Sequence, residues 1–177
     1  MASKLMEEMK EKIHAMKIVP VVKLNDAKDA APLAKALVEG GIPCAEVTFR
    51  TDAAVESIRN MLETYPDMLV GAGTVLTTAQ VDAAIEAGAK FIVSPGLNPK
   101  TVKYCQEKNI PILPGVATAS EIEQALELGL DVVKFFPCRS KRRTPCDQST
   151  LGTVSYDAVY ADWRCKSSEC KRVPLLR

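Results

Sequence analysis

Apolar and polar positions follow two alternating rhythms along most of this chain. From Ile18 onward a short apolar run is followed by a turn. A segment with apolar residues three or four apart comes next, and then Gly or Pro. The first rhythm predicts buried strands and the second predicts amphipathic helices. The predicted strands are IVPVVK (18–23), CAEVTF (44–49), MLVGAGT (68–74), KFIVS (90–94), IPILPG (110–115) and DVVKFF (131–136). Helices are predicted over 26–40, 52–64, 78–87, 99–108 and 119–128, three of them closed by Gly41, Gly88 or Gly129. A charged segment, 3–17, places Leu5, Met9, Ile13 and Met16 on one face and predicts an N-terminal amphipathic helix. Its His14 is the only histidine in the chain and is expected to be an ordinary surface residue.

Successive strands start 20–26 residues apart. Strands alternating with helices at this spacing predict βαβ units and a parallel sheet. The period fits an α/β fold of the (β/α)8 TIM-barrel type, which needs about 200 residues or more. A doubly wound open sheet is the alternative. It is weakened by the lack of a GxGxxG or GxxxxGK[ST] phosphate loop; the GAG of 71–73 is too short to be either.

The last predicted strand, DVVKFF, carries a lysine among apolar residues. Apolar residues on both sides of Lys134 imply a strand covered on both faces. Lysine is rarely buried without a reason, and a buried amine is held more readily in its neutral form, which can attack a ketone to give a Schiff base. The alternative is a lysine at a strand end whose head group reaches water.

In a βα barrel the reacting groups stand at the C-terminal ends of the strands. Those ends carry Lys23; Glu46, Thr48 and Arg50; Gly73 and Thr74; Ser94, Pro95 and Gly96; Pro114 and Gly115; and Lys134. Glu46, Thr48 and Arg50 alternate and so are expected on one face of their strand. They could form a buried structural ion pair. They could equally provide a general acid/base beside an anion clamp, since the Arg fork matches a carboxylate. The small residues ending the third and fourth strands either leave room for a ligand or are ordinary turn residues.

Composition adds bounds. The 177 residues suit one domain with a sizeable core. A net charge of +1 gives no reason to expect nucleic acid or membrane binding, and no apolar run is long enough to span a bilayer. The charged, helical N-terminus does not resemble a signal peptide, which points to the cytoplasm.

Five ordered motifs, EVTFRT (46–51), GAGTVL (71–76), SPG (94–96), IPILPG (110–115) and VKFFP (133–137), sharpen the picture. Together, over roughly residues 15–137, they resemble the 2-keto-3-deoxy-6-phosphogluconate / 4-hydroxy-2-oxoglutarate aldolase family. The resemblance implies a (β/α)8 barrel and a class I aldolase of the Entner–Doudoroff type, usually a homotrimer, working without metal or cofactor beyond a covalent imine. Its substrates would be one or both of those 2-keto acids, cleaved to pyruvate and an aldehyde. It implies that Lys134 forms the Schiff base and that Glu46 is the general acid/base. By the same resemblance Arg50 and Thr74 hold the pyruvate carboxylate, and Pro95 and Phe136 line the pocket. The family's phosphate-holding PTGG and GGS loops are not found after Pro137.

The chain changes character at that proline. Residues 1–137 carry 14 Lys+Arg against 18 Asp+Glu, whereas 138–177 carry 9 against 4. Four of the six cysteines (Cys138, Cys146, Cys165, Cys170) and six of the eight arginines follow the break. No further βα period is evident, so the expected division is 1–137, an N-terminal helix plus six strands, and 138–177, a frameshifted or disordered tail. Back-translated with suitable synonymous codons and read one base later, the tail can yield a run containing MRFMPTGG directly after KFFP, which is what an out-of-frame copy of the remaining barrel would give. On this reading the first and sixth strands are open edges, the core is half-exposed and catalysis is weak. Two other readings compete. One is a truncated, non-catalytic barrel that keeps only a pyruvate pocket. The other is a binding module built on the tail, but cysteine spacings of 8, 19 and 5 without CxxC make poor zinc ligands.

Overall fold

The computed structural model describes residues 4–136 and the backbone of a short strand, Ala158–Ala161. In chain order the elements are α1 (Lys4–Met16), β1 (Val21–Val22), a 3-10 turn (Ala27–Asp29), α2 (Ala30–Glu39), β2 (Cys44–Thr48) and α3 (Ala54–Thr64). They continue with β3 (Leu69–Gly73), α4 (Thr78–Glu86), β4 (Ile92–Ser94), α5 (Pro99–Glu107), β5 (Ile112–Val116), α6 (Ala119–Glu127), β6 (Val132–Phe135) and β7 (Ala158–Ala161). All strand pairs are parallel, in the order β1 to β7.

Local chemistry sets the helix boundaries. Thr77 begins α4 and Thr118 begins α6, each as a complete capping box with the residue three positions on, Gln80 and Glu121. Asn98 caps α5 through Lys100 N–H, with Pro99 in the first turn, where its missing N–H costs nothing. Gly88 and Gly129 follow α4 and α6 at φ of 93° and 71°, the left-handed stop that glycine adopts without strain. Among the described residues no helix is long and apolar enough to cross a membrane.

The alternation within each strand sorts side chains into two cores. Ala45, Val47, Val70, Ala72, Ile92, Ile112, Val116 and Val133 point outward and pack with Ala34, Ile58, Met61, Val81, Val102 and Ile122 of the helices. Val19, Cys44, Leu69, Phe91, Val93, Leu113 and Val132 point inward and form a separate interior cluster, joined by Met9. Ile13 and Met16 pack against it, so the apolar stripe of α1 lies on this interior cluster.

The structure adds one strand to the six expected. Ala158–Ala161 pairs with β6, Val132 opposite Ala158 and Phe135 opposite Ala161. The β6 edge is therefore not open, and Val132 and Val133 are buried at 6% and 1% exposure rather than half-exposed. The sequence AVYA gives little signal because it is short and alanine-rich, yet an unpaired strand edge needs from its neighbour only extended backbone groups. The four tail cysteines, on which the tail-module reading turned, lie outside the described residues.

Candidate active site

Parallel registry brings the two central charges together. Glu46 stands third in the five-residue β2, and Lys134 stands third in β6, where it pairs with Gly115 of β5. Both belong to the inward set of their strands, one step above Cys44 and Val132 of the apolar interior. Lys134 Nζ donates to Glu46 Oε1 and Oε2 at 3.4 Å each. Their side chains are only 7% and 2% exposed. Removing two charges from water is costly, so a pair this dry persists only where each partner compensates the other. Phe136, just past the end of β6 and two residues on from Lys134, places its ring 5.5 Å from Nζ, a cation–π contact.

Space for the carboxylate comes from an absent side chain. A Cβ at Gly73 would overlap the Oε1, Cγ and Cδ atoms of Glu46. A Cβ at Gly71, the register partner of Glu46, would overlap the Phe91 ring. Of the two readings of the small residues ending the third strand, room for a ligand or ordinary turn chemistry, neither describes Gly73, whose space Glu46 itself fills. What the sequence reading missed was the role of these two glycines. The available signal was two inward glycines, i and i+2, in a strand beside one bearing an inward glutamate.

The rim above this pair differs from expectation in one respect. Thr48 continues the inward row and is 1% exposed, its hydroxyl donating to the Val22 carbonyl at 2.9 Å. Arg50 does not continue that row as strand: β2 ends at Thr48, and Arg50 N–H folds back to the Thr48 carbonyl. It is exposed, with Nε donating to Thr74 Oγ1 at 3.2 Å. Thr74 lies just past β3 with φ of 57°, the left-handed region that a β-branched residue rarely enters. Such a conformation costs about 1–3 kcal/mol and persists only where its surroundings impose it, typically at a functional site. Pro95 and Phe136 are half-buried at the ends of β4 and β6. A Cβ at Gly115 would overlap the Pro95 backbone, so the SPG turn lies directly against the strand that pairs with Lys134.

Groups away from this contact have ordinary structural parts. The helix starts at α4 and α6 are satisfied by Gln80 and Glu121, and the N–H groups of Ala117 and Thr118 hold the Glu121 carboxyl below its usual value. His14 is exposed on α1.

The arrangement is thus an amine and a carboxylate face to face in a dry interior, under a rim with a guanidinium and a hydroxyl. It can perform amine attack on a carbonyl with a proton acceptor at hand. The family model for KDPG and KHG aldolase matches residues 9–153, starting before and ending beyond the stretch covered by the five motifs. A 2-dehydro-3-deoxy-phosphogluconate aldolase of Treponema pallidum is 53% identical over 127 residues, 72% of this chain and 60% of the relative. The chain therefore spans about three-fifths of that relative's length. The crystal structure of the Zymomonas mobilis ZM4 2-keto-3-deoxy-6-phosphogluconate aldolase with 3-phosphoglycerate superposes with TM-score 0.71 at 43% identity, over 75% of this chain and 63% of that one. A Legionella pneumophila KDPG aldolase, in which pyruvate was captured as a covalent carbinolamine, gives TM-score 0.66 at 42% identity, over 68% of this chain and 58% of that one.

Proposed function

The chain belongs to the KDPG and KHG aldolase family, and on that premise we propose that it is a class I aldolase that cleaves 2-keto-3-deoxy-6-phosphogluconate, 4-hydroxy-2-oxoglutarate, or both. The observation that carries this reading is the buried contact between Lys134 Nζ and both Glu46 oxygens. In the proposed cycle Lys134 gives a proton to Glu46, the neutral amine attacks the C2 ketone, and that proton returns as water leaves the carbinolamine, giving a protonated imine. Glu46 removes the C4 hydroxyl proton, directly or through water, and the C3–C4 bond breaks with its electron pair drawn into the iminium. The aldehyde leaves, the enamine takes a proton at C3, and hydrolysis of the imine releases pyruvate. The imine is the electron sink, so this chemistry calls for no metal.

Arg50 and Thr74 would hold the substrate carboxylate and so orient C2 toward the amine. Their hydrogen bond at 3.2 Å supports acting together, and the exposure of Arg50 leaves its fork accessible. Pro95 and Phe136 would form the walls, with Phe136 against the amine. A homotrimer in the cytoplasm, serving carbohydrate breakdown, completes the reading by likeness to the family. Residues 138–177 are proposed to be an out-of-frame copy of the remaining barrel; sequencing the coding DNA across codon 137 decides that point.

The test is turnover. Purified protein given either 2-keto acid should release pyruvate and aldehyde in equal amounts. Pyruvate bound and trapped without any cleavage would instead favour a non-catalytic barrel.

A further inference from the structure

We propose that Gly73 is a positioning residue, which holds the Glu46 carboxylate in front of Lys134 by contributing no side chain of its own. The inference rests on the aldolase reading for its catalytic consequence, but its geometry stands independently. Glu46 is opposite Gly71 in the parallel register, and Thr48 is opposite Gly73. The glutamate side chain nevertheless occupies the space over Gly73, one inward position nearer the C-terminal end of the sheet. The space over Gly71 is already filled by the Phe91 ring, which is fully buried. Phe91 thus closes the lower site and Gly73 opens the upper one, so the carboxylate has one direction in which to extend. That direction carries it to Lys134.

Backbone geometry does not explain a glycine here. Gly73 lies within β3 and is not among the residues with positive φ. An alanine could adopt its conformation; what excludes alanine is overlap with three atoms of the Glu46 side chain. Those atoms belong to a buried carboxylate, which cannot swing into solvent without uncovering Lys134. A methyl at position 73 therefore acts through Glu46 rather than through the core at large.

The experiment compares Gly73→Ala with Gly71→Ala in two readouts. In the first, kcat is measured against pH. Gly73→Ala should lower kcat by about 10²-fold or more and displace the limb of the profile assigned to the acid/base. Gly71→Ala meets the Phe91 ring first and should lower Tm without displacing that limb. In the second, Tm is compared for Gly73→Ala in the wild-type and in the Glu46→Ala background. The methyl should lower Tm, or prevent folding, when Glu46 is present, and cost little once Glu46 has been truncated. Wild-type kcat and pH profile in Gly73→Ala would overturn the proposal, as would an equal Tm penalty in both backgrounds. Absence of turnover in the wild-type protein would count against the aldolase reading, and the Tm comparison would then decide the placement of Gly73 alone.

Discussion

The lower and upper halves of the strand interior are built from the same strands and the same alternation, yet they are opposite in character. Below, Cys44, Leu69, Phe91, Val93, Leu113 and Val132 are almost fully buried against α1 and contain no charge. One step higher on two of those strands stand Glu46 and Lys134, equally buried and both ionisable. Hydrophobic burial makes the lower half a source of stability. In the upper half, desolvation offsets much of the attraction within the ion pair. The contrast teaches that the pair is not retained as structural glue: an apolar upper layer would hold the strands together at least as well.

The most severe test of that contrast is to remove one charge. Lys134→Ala should abolish turnover and imine formation, and should destabilise the fold by about 3–5 kcal/mol, because Glu46 would remain buried without its cation. Replacing the pair with Glu46→Leu and Lys134→Met should leave the protein inactive but restore chemical-denaturation stability to the wild-type level or above. Stability lost in the double variant as in the single one would break the distinction between the halves.

Phe91→Ala attacks the other half. Removing a fully buried aromatic ring should cost about 3–5 kcal/mol in denaturant unfolding. The folded fraction should still form the imine with pyruvate, because Lys134 is unchanged, but turnover should fall, because the space over Gly71 is then open to the Glu46 side chain.

Smaller effects are expected at the rim. Arg50→Ala should weaken keto-acid binding by about 2 kcal/mol or more, read as a raised KM, with little change in Tm because Arg50 is exposed. Thr74→Gly should do the reverse to stability. It relieves the left-handed strain and should stabilise the fold by about 1 kcal/mol while also raising KM.

The smallest effect concerns thiols. Burial pushes Cys44 up to about 11 and Cys105 up to about 12. Because the folded state holds these protons more tightly than the unfolded state, their contribution to stability is present below the ordinary thiol range near 9 and is lost as pH rises toward 11–12. Alkylation of native protein at pH 8, followed by peptide mapping, should leave both unmodified.

Much of the fold is legible in the sequence because its signals are local and agree with one another. The periodicity from Ile18 to Phe136 places the helices to within a few residues, and the caps Thr77, Asn98 and Thr118 become visible only in the structure. The first strand is shorter than its apolar run predicts, for a reason periodicity does not carry. Thr48 and Thr51 take the Val22 and Leu24 carbonyls with their hydroxyls, so side chains replace part of the ladder. At the site, alternation indicates that Glu46 and Thr48 share a face, but not that the strand stops before Arg50. Nor does it indicate that Lys134, which Glu46 contacts, lies 88 residues away. The occupancy of the space over Gly71 and Gly73 is a fact of three dimensions, set by which neighbouring strand carries a large inward residue. β7 is not legible in the sequence because AVYA is too short to show a period and half of it is alanine.

The central claim is that Lys134 is the amine that becomes covalently bound. Incubation with pyruvate and borohydride, followed by intact-mass and peptide analysis, tests it most directly. The account predicts one reduced pyruvate unit per chain, located on Lys134 and absent from Lys134→Ala. Labelling that persists unchanged in that variant, or that falls on another lysine, would contradict it.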